Sequence, residues 1–97
     1  MAGKEYGGMN RRGILPDEWF ERADGVPMTK ASVRAIVVSL LNPLDGINIL
    51  EIGSGTGAMT VELARSAGDG GCVTSVEISP EAARVTGRNI EIGRAHV

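Results

Sequence analysis

Few folds accommodate a decapeptide such as Asn-Ile-Leu-Glu-Ile-Gly-Ser-Gly-Thr-Gly, which runs from Asn48 to Gly57 of this chain. Ile49, Leu50 and Ile52 form a short apolar run of the kind that makes a strand buried on both faces. Three glycines at every second position follow at once. A chain leaving a strand tip for a helix needs unusual dihedrals there, and a ligand needs close access to the backbone. A helical pattern comes next, with Met59, Leu63 and Ala67 spaced by four and Val61 and Ala64 beside them. Strand, glycine loop and helix in that order turn a weak glycine pattern into the expectation of a nucleotide site.

The helix is expected over about residues 58–67 and ends at the breaker Gly68-Asp69-Gly70-Gly71. Cys72 to Val76 reads as a second short strand that ends in Glu77. Two strands joined through one helix in so few residues imply a right-handed βαβ unit with parallel pairing. Pro80 and Glu81 open a third helical pattern, with Ala82, Val85, Ile90 and Ala83 as candidates to face inward, and this pattern stops short after Ile90.

Upstream, residues 1–13 carry scattered charges and glycines without periodicity and read as a flexible lead-in. Pro16 followed by Asp17 and Glu18 suits the first turn of a short helix anchored by Trp19 and Phe20. That aromatic pair either packs against the domain or forms a wall of a substrate pocket. Asp24 to Pro27 is a turn, and Thr29 stands either as a helix N-cap or as a hydroxyl that also reaches a ligand at the glycine loop. Val33, Ile36, Val37, Leu40 and Leu41 then follow the i, i+3, i+4, i+7, i+8 spacing of one helical face. Asn42 to Gly46 breaks that helix and turns the chain toward the first strand.

At 97 residues, with 42% hydrophobic side chains and only Tyr6, Trp19 and Phe20 as aromatics, the chain is at most one small domain with a thin core. A formal charge of -2 leaves no basic footprint for nucleic acid. No apolar stretch approaches the roughly 20 residues of a membrane span, and there is no apolar signal segment, so a cytoplasmic protein is expected. Cys72 cannot form an internal disulfide and reads as a reduced core residue. His96, the single histidine, has no acid or thiol partner nearby in sequence and receives neither a catalytic nor a metal role.

Gly53, Gly55 and Gly57, with Ala58 behind them, satisfy both G-x-G-x-G and G-x-G-x-x-A, so the glycines do not choose a ligand. The acids discriminate. Glu77 lies 20 residues past Gly57 at the next strand tip, where a carboxylate takes both hydroxyls of a ribose in NAD or S-adenosyl-L-methionine alike. Glu51, two residues before Gly53, puts negative charge where a dinucleotide would bring its pyrophosphate. S-adenosylmethionine is instead cationic at its sulfonium and ammonium, so the pair of acids favours a methyl donor. The bland alternative is a non-catalytic α/β module in which Glu51 is an exposed strand-end charge and the glycines only make a tight turn.

Ile-Leu-Glu-Ile-Gly-Ser-Gly-Thr-Gly resembles motif I of class I S-adenosylmethionine-dependent methyltransferases, and Val76-Glu77 with Pro80-Glu81 resembles their acidic second motif. Leu15-Pro-Asp-Glu-Trp-Phe20 and Gly25-Val-Pro-Met-Thr-Lys30, with Val33-Arg34, are similar to the N-terminal segment of the cobalt-precorrin C15 methyltransferases of the decarboxylating CbiT type. The resemblance implies a Rossmann-like fold, with Thr29 contacting the cofactor and Gly53, Ser54, Gly55, Thr56 and Gly57 wrapping its methionine portion. Glu77 would hold the ribose, with Glu51 beside the loop. It also implies methyl transfer to C15 of a tetrapyrrole with loss of carbon dioxide, in cobalamin synthesis. Related methyltransferases acting on tRNA or on protein isoaspartyl residues are the alternatives, and a homo-oligomeric parent stays open.

Such an enzyme needs roughly twice this length. The chain is therefore expected to be the N-terminal part, residues 14–90, of a methyltransferase domain, inactive alone and with its first strand left as an open edge. Residues 91–97, Glu-Ile-Gly-Arg-Ala-His-Val, resemble a conceptual translation of a common sequencing-adapter oligonucleotide and are expected to be foreign to the domain.

Overall fold

A computed structural model of the chain describes residues 13–93. The expectations for residues 1–12, and those for residues 94–97 with His96, lie outside the described residues. A 3-10 turn at Asp17–Trp19 is followed by α1 (Ala31–Leu41), β1 (Asn48–Ile52), α2 (Ala58–Ala67), β2 (Cys72–Val76) and α3 (Pro80–Gly93). The two strands pair in parallel, from Asn48 beside Cys72 to Ile52 beside Val76. This is the expected βαβ unit.

α2 is the centre of the molecule. Seven of its ten residues are buried, including the polar Thr60 and Glu62, because it is covered on both sides. Toward the sheet, Leu63 and Ala64 pack with Leu44 and Val73, and Ile49 and Met59 close the edges. On the opposite side, Ala58 and Val61 pack with Leu15 and Phe20, joined by Trp19, Met28 and Ile92. Trp19 and Phe20 thus pack against the domain, the first of their two sequence readings.

Several expectations are corrected. β1 is not buried on both faces: Ile49 and Glu51 lie partly covered, whereas Leu50 and Ile52 are 65% and 79% exposed. The same alternation in β2 puts Val73 in the core and leaves Cys72 exposed, so the thiol is not a core group. Pro16 opens only a three-residue turn, because the Asp17 carboxylate leaves its own segment to accept the Ala31 N–H at 2.8 Å. Asp17 therefore satisfies a donor at the head of α1, and Thr29 is no cap; the residue before that helix is Lys30, whose side chain makes no capping bond.

The face of α1 that the sequence reads as apolar is largely exposed, with Ile36 at 59% and Leu40 at 79%. Its single buried residue is Arg34, whose guanidinium finds enough acceptors to draw that side of the helix inward. Arg34 donates to Asp17 Oδ1 and to the carbonyls of Leu15 and Thr29, and its Nε faces Glu62 Oε2 at 3.4 Å. Its Cζ lies 5.0 Å from the centre of the Phe20 ring. Glu62 completes the network by accepting the Leu15 N–H and Arg65 Nη1, each at 2.7 Å. α3 continues three residues beyond Ile90. A Cβ on Gly93 would stand 2.5 Å from Val61 Cγ1, so the helix approaches α2 with no room for a side chain there.

Candidate functional site

β1 delivers the glycine loop and β2 delivers the acid. The Gly53 N–H donates to the Val76 carbonyl at 2.7 Å, which extends the ladder one residue past the strands. Gly55 and Gly57 have φ of +58° and +89°. A Cβ at Gly55 would stand 2.5 Å from the Pro27 carbonyl oxygen, and one at Gly57 would stand 2.8 Å from Thr86 Cα. Glycine is needed at both positions for conformation and for space. The Gly25–Thr29 segment lies against the loop, with the Thr56 N–H donating to the Pro27 carbonyl at 3.1 Å.

A cleft of about 210 Å³ opens where these pieces meet, bounded by Thr29 and the Gly25–Pro27 turn, by Gly53–Gly55, and by Glu77 with Ser79. Among the described residues, Glu77 is the only charged one lining it. One carboxylate oxygen accepts the Ser79 N–H at 3.0 Å, and the other accepts the Gly55 N–H at 2.8 Å. These donors hold the carboxyl below its ordinary value of 4.5, Ser79 contributing most and Gly55 next.

Of the residues expected at the site, Thr29, Gly53, Ser54, Gly55 and Glu77 come together at this cleft. Glu51, Thr56 and Gly57 do not line it. Glu51 accepts the Ser75 hydroxyl at 2.8 Å and also the Thr60 hydroxyl, so its carboxylate is tied between β2 and α2. Thr56 is 1% exposed, and its Oγ1 is the buried side-chain polar atom left without a partner among the described residues. Gly57 is packed under α3.

Sequence reasoning missed Ser79, which fixes Glu77, and the pair Thr86 and Asn89. Both members of that pair lie on the inward stripe of α3 with Ala82, Val85 and Gly93. Polar residues at i, i+3 on an otherwise apolar stripe are the signal that could have found them. Among the described residues no cluster of His, Cys, Asp and Glu could hold a metal ion, and no helix is long and apolar enough to cross a membrane.

A parallel βαβ unit with helices packed on it and a glycine turn after its first strand is the N-terminal part of the class I methyltransferase fold. A family model for the precorrin methyltransferase domain matches residues 18–96. The chain belongs to that family. It is 47% identical over 78 residues to a Thermoplasma acidophilum protein named probable cobalt-precorrin-6B C(15)-methyltransferase (decarboxylating), covering 80% of this chain and 38% of that one. Among solved structures it is similar to a precorrin 8W decarboxylase of Methanobacterium thermoautotrophicum, with a TM-score of 0.76 and 28% identity. That match covers 84% of this chain and 43% of the other. A protein-L-isoaspartate O-methyltransferase matches with a TM-score of 0.61 and 29% identity, over 74% of this chain and 23% of the other. The chain spans about two fifths of the length of the curated relatives it matches.

Proposed function

We propose that this chain supplies the methyl-donor site of an enzyme that methylates C15 of a cobalt-precorrin and decarboxylates it, with S-adenosylmethionine as cofactor. The observation that supports the cofactor best is the occupancy of the loop's backbone donors. Of the five N–H groups from Gly53 to Gly57, those of Gly53, Gly55, Thr56 and Gly57 are already bonded to Val76, Glu77, Pro27 and Ser54. A pyrophosphate is held by free backbone N–H groups. Here such a group would meet spent donors and the Glu77 carboxylate. A cation suits that cleft, and a ribose suits a carboxylate that stays ionised.

In this reading Thr29 and the Gly53–Gly55 backbone hold the methionine portion and Glu77 takes the ribose. The cofactor, when bound, supplies an already activated methyl group, so the chain's task is alignment more than proton transfer. The proton balance agrees: methylation releases one proton from the substrate carbon, and replacing carbon dioxide by hydrogen consumes one. The relatives' names supply the substrate, a cobalt-precorrin.

Calorimetric titration with S-adenosylmethionine and with NAD tests the cofactor. Binding of the first and silence toward the second are expected, and NAD binding without S-adenosylmethionine binding refutes the reading. The substrate is tested by following transfer of labelled methyl to cobalt-precorrin-6B together with release of carbon dioxide. Methyl transfer to RNA or protein with none to the precorrin refutes that part.

A further inference from the structure

Two of the buried residues on the inward stripe of α3, Thr86 and Asn89, are bonded to the glycine loop. The Thr86 hydroxyl donates to the Gly55 carbonyl at 2.9 Å. A hydroxyl has one proton, so the 2.8 Å contact between Thr86 Oγ1 and Ser54 Oγ is donated by Ser54. One turn later, Asn89 Nδ2 donates to the Thr56 carbonyl at 2.8 Å and to the Glu21 carbonyl at 3.0 Å. Its Oδ1 accepts the Glu21 N–H at 2.8 Å. Asn89 thus pairs with the Glu21 backbone as a neighbouring strand would, while holding the loop. It is fully buried, Thr86 is nearly so, and neither lines the cleft.

A loop with glycine at every second position has little conformational preference of its own, and ordering glycine costs more entropy than ordering any other residue. α3 supplies the missing order. The Gly55 and Thr56 carbonyls and the Ser54 hydroxyl are all drawn toward α3 by these two side chains. Through Glu21, Asn89 also ties the loop to the segment that continues into the Gly25–Thr29 wall of the cleft.

We propose that Thr86 and Asn89 are positioning residues for the methyl donor: without touching it, they hold the loop in its binding conformation and so set cofactor affinity. This rests on the reading that S-adenosylmethionine occupies the cleft. Thr86→Val keeps the side-chain shape and removes the hydroxyl, leaving the Gly55 carbonyl without its donor. The dissociation constant for S-adenosylmethionine should rise about tenfold, equivalent to 1.4 kcal/mol. Thr86→Ser should restore most of the affinity, and hydrogen exchange at the Gly55, Thr56 and Gly57 amides should quicken in Thr86→Val. Asn89→Leu should behave as Thr86→Val does in both readouts.

Val85→Ala is the control, since Val85 is buried on the same helix and makes no hydrogen bond to the loop. It should lower the melting temperature at least as much, yet leave affinity and loop exchange near wild type when the protein is fully folded. The proposal is overturned if Thr86→Ser behaves as Thr86→Val does, or if Val85→Ala weakens binding equally. A wild-type chain that binds no S-adenosylmethionine overturns the cofactor reading separately. Loop exchange then decides on positioning alone, and unchanged exchange in Thr86→Val overturns it.

Discussion

Replacing Arg34 by Met tests what fastens the N-terminal segment to the βαβ unit. The substitution keeps an apolar stem of similar reach and removes a fully buried guanidinium with three oxygen acceptors besides Glu62. Breaking a buried ion pair costs about 3–5 kcal/mol, because the remaining partner is left uncompensated. Glu62 keeps Arg65 and the Leu15 N–H, which places the electrostatic loss at the lower end. The Leu15 carbonyl loses its donor, at about 1 kcal/mol or more. A total of about 4 kcal/mol is a large share of the roughly 5–15 kcal/mol that holds a domain together. With a urea slope of about 1.5 kcal/mol/M, the midpoint should fall by about 2.5 M or more. Unfolding is followed by Trp19 fluorescence and by circular dichroism. Arg34→Lys retains charge but cannot reach the same fork of acceptors, and should fall between wild type and Arg34→Met. A midpoint shift below about 0.5 M at unchanged slope in Arg34→Met would refute the reasoning, since the buried network would then contribute nothing net.

Two further outcomes follow from the loop. Gly57→Ala combines a left-handed backbone, unfavourable by about 1–2 kcal/mol for alanine, with a Cβ placed 2.8 Å from Thr86 Cα. A loss above about 2 kcal/mol is expected in thermal melts, and a neutral change counts against the close approach of α3 to the loop. Glu77 has a folded-state pKa below its ordinary value of 4.5. Its contribution to stability is therefore present above pH 4.5 and disappears as pH falls from there through the folded value. Urea midpoints of Glu77→Gln should lack that increment near neutral pH and converge on wild type in acid, so superimposable pH profiles would rule it out.

The βαβ unit was legible because periodicity and punctuation agree: apolar runs, a glycine turn and a Gly-Asp-Gly-Gly breaker bound each element. What the sequence could not reveal was which groups spend their hydrogen bonds on one another. Thr29 has the right chemistry for a cap, yet the Ala31 N–H is taken by Asp17, fourteen residues before Ala31. Arg34 looks like a surface charge on a helix, yet the Leu15 carbonyl and the Asp17 and Glu62 carboxylates that accept from it are brought near by no local pattern. Ala83 was a candidate core residue, but the inward stripe of α3 runs through Ala82, Val85, Thr86, Asn89 and Gly93. A hydrophobic scan is blind to a face whose polar members are paired.

Glu51, the acid from which the sequence argues against a pyrophosphate, is not the carboxylate that lines the cleft. The reasoning that negative charge near the loop disfavours a pyrophosphate carries over, but the carboxylate that lines the cleft is Glu77, whereas Glu51 is engaged by Thr60 and Ser75. The discrimination moves from the sign of one side chain to the state of the backbone donors. Each loop amide that bonds to protein is one fewer for a phosphate, and the same bonds give a glycine-rich turn a single conformation. In the proposed reading, selectivity against a dinucleotide and preorganisation for a cationic ligand are two consequences of one hydrogen-bond pattern. Freeing a loop amide, for example that of Gly55 through Glu77→Leu, which removes its acceptor, should weaken both together.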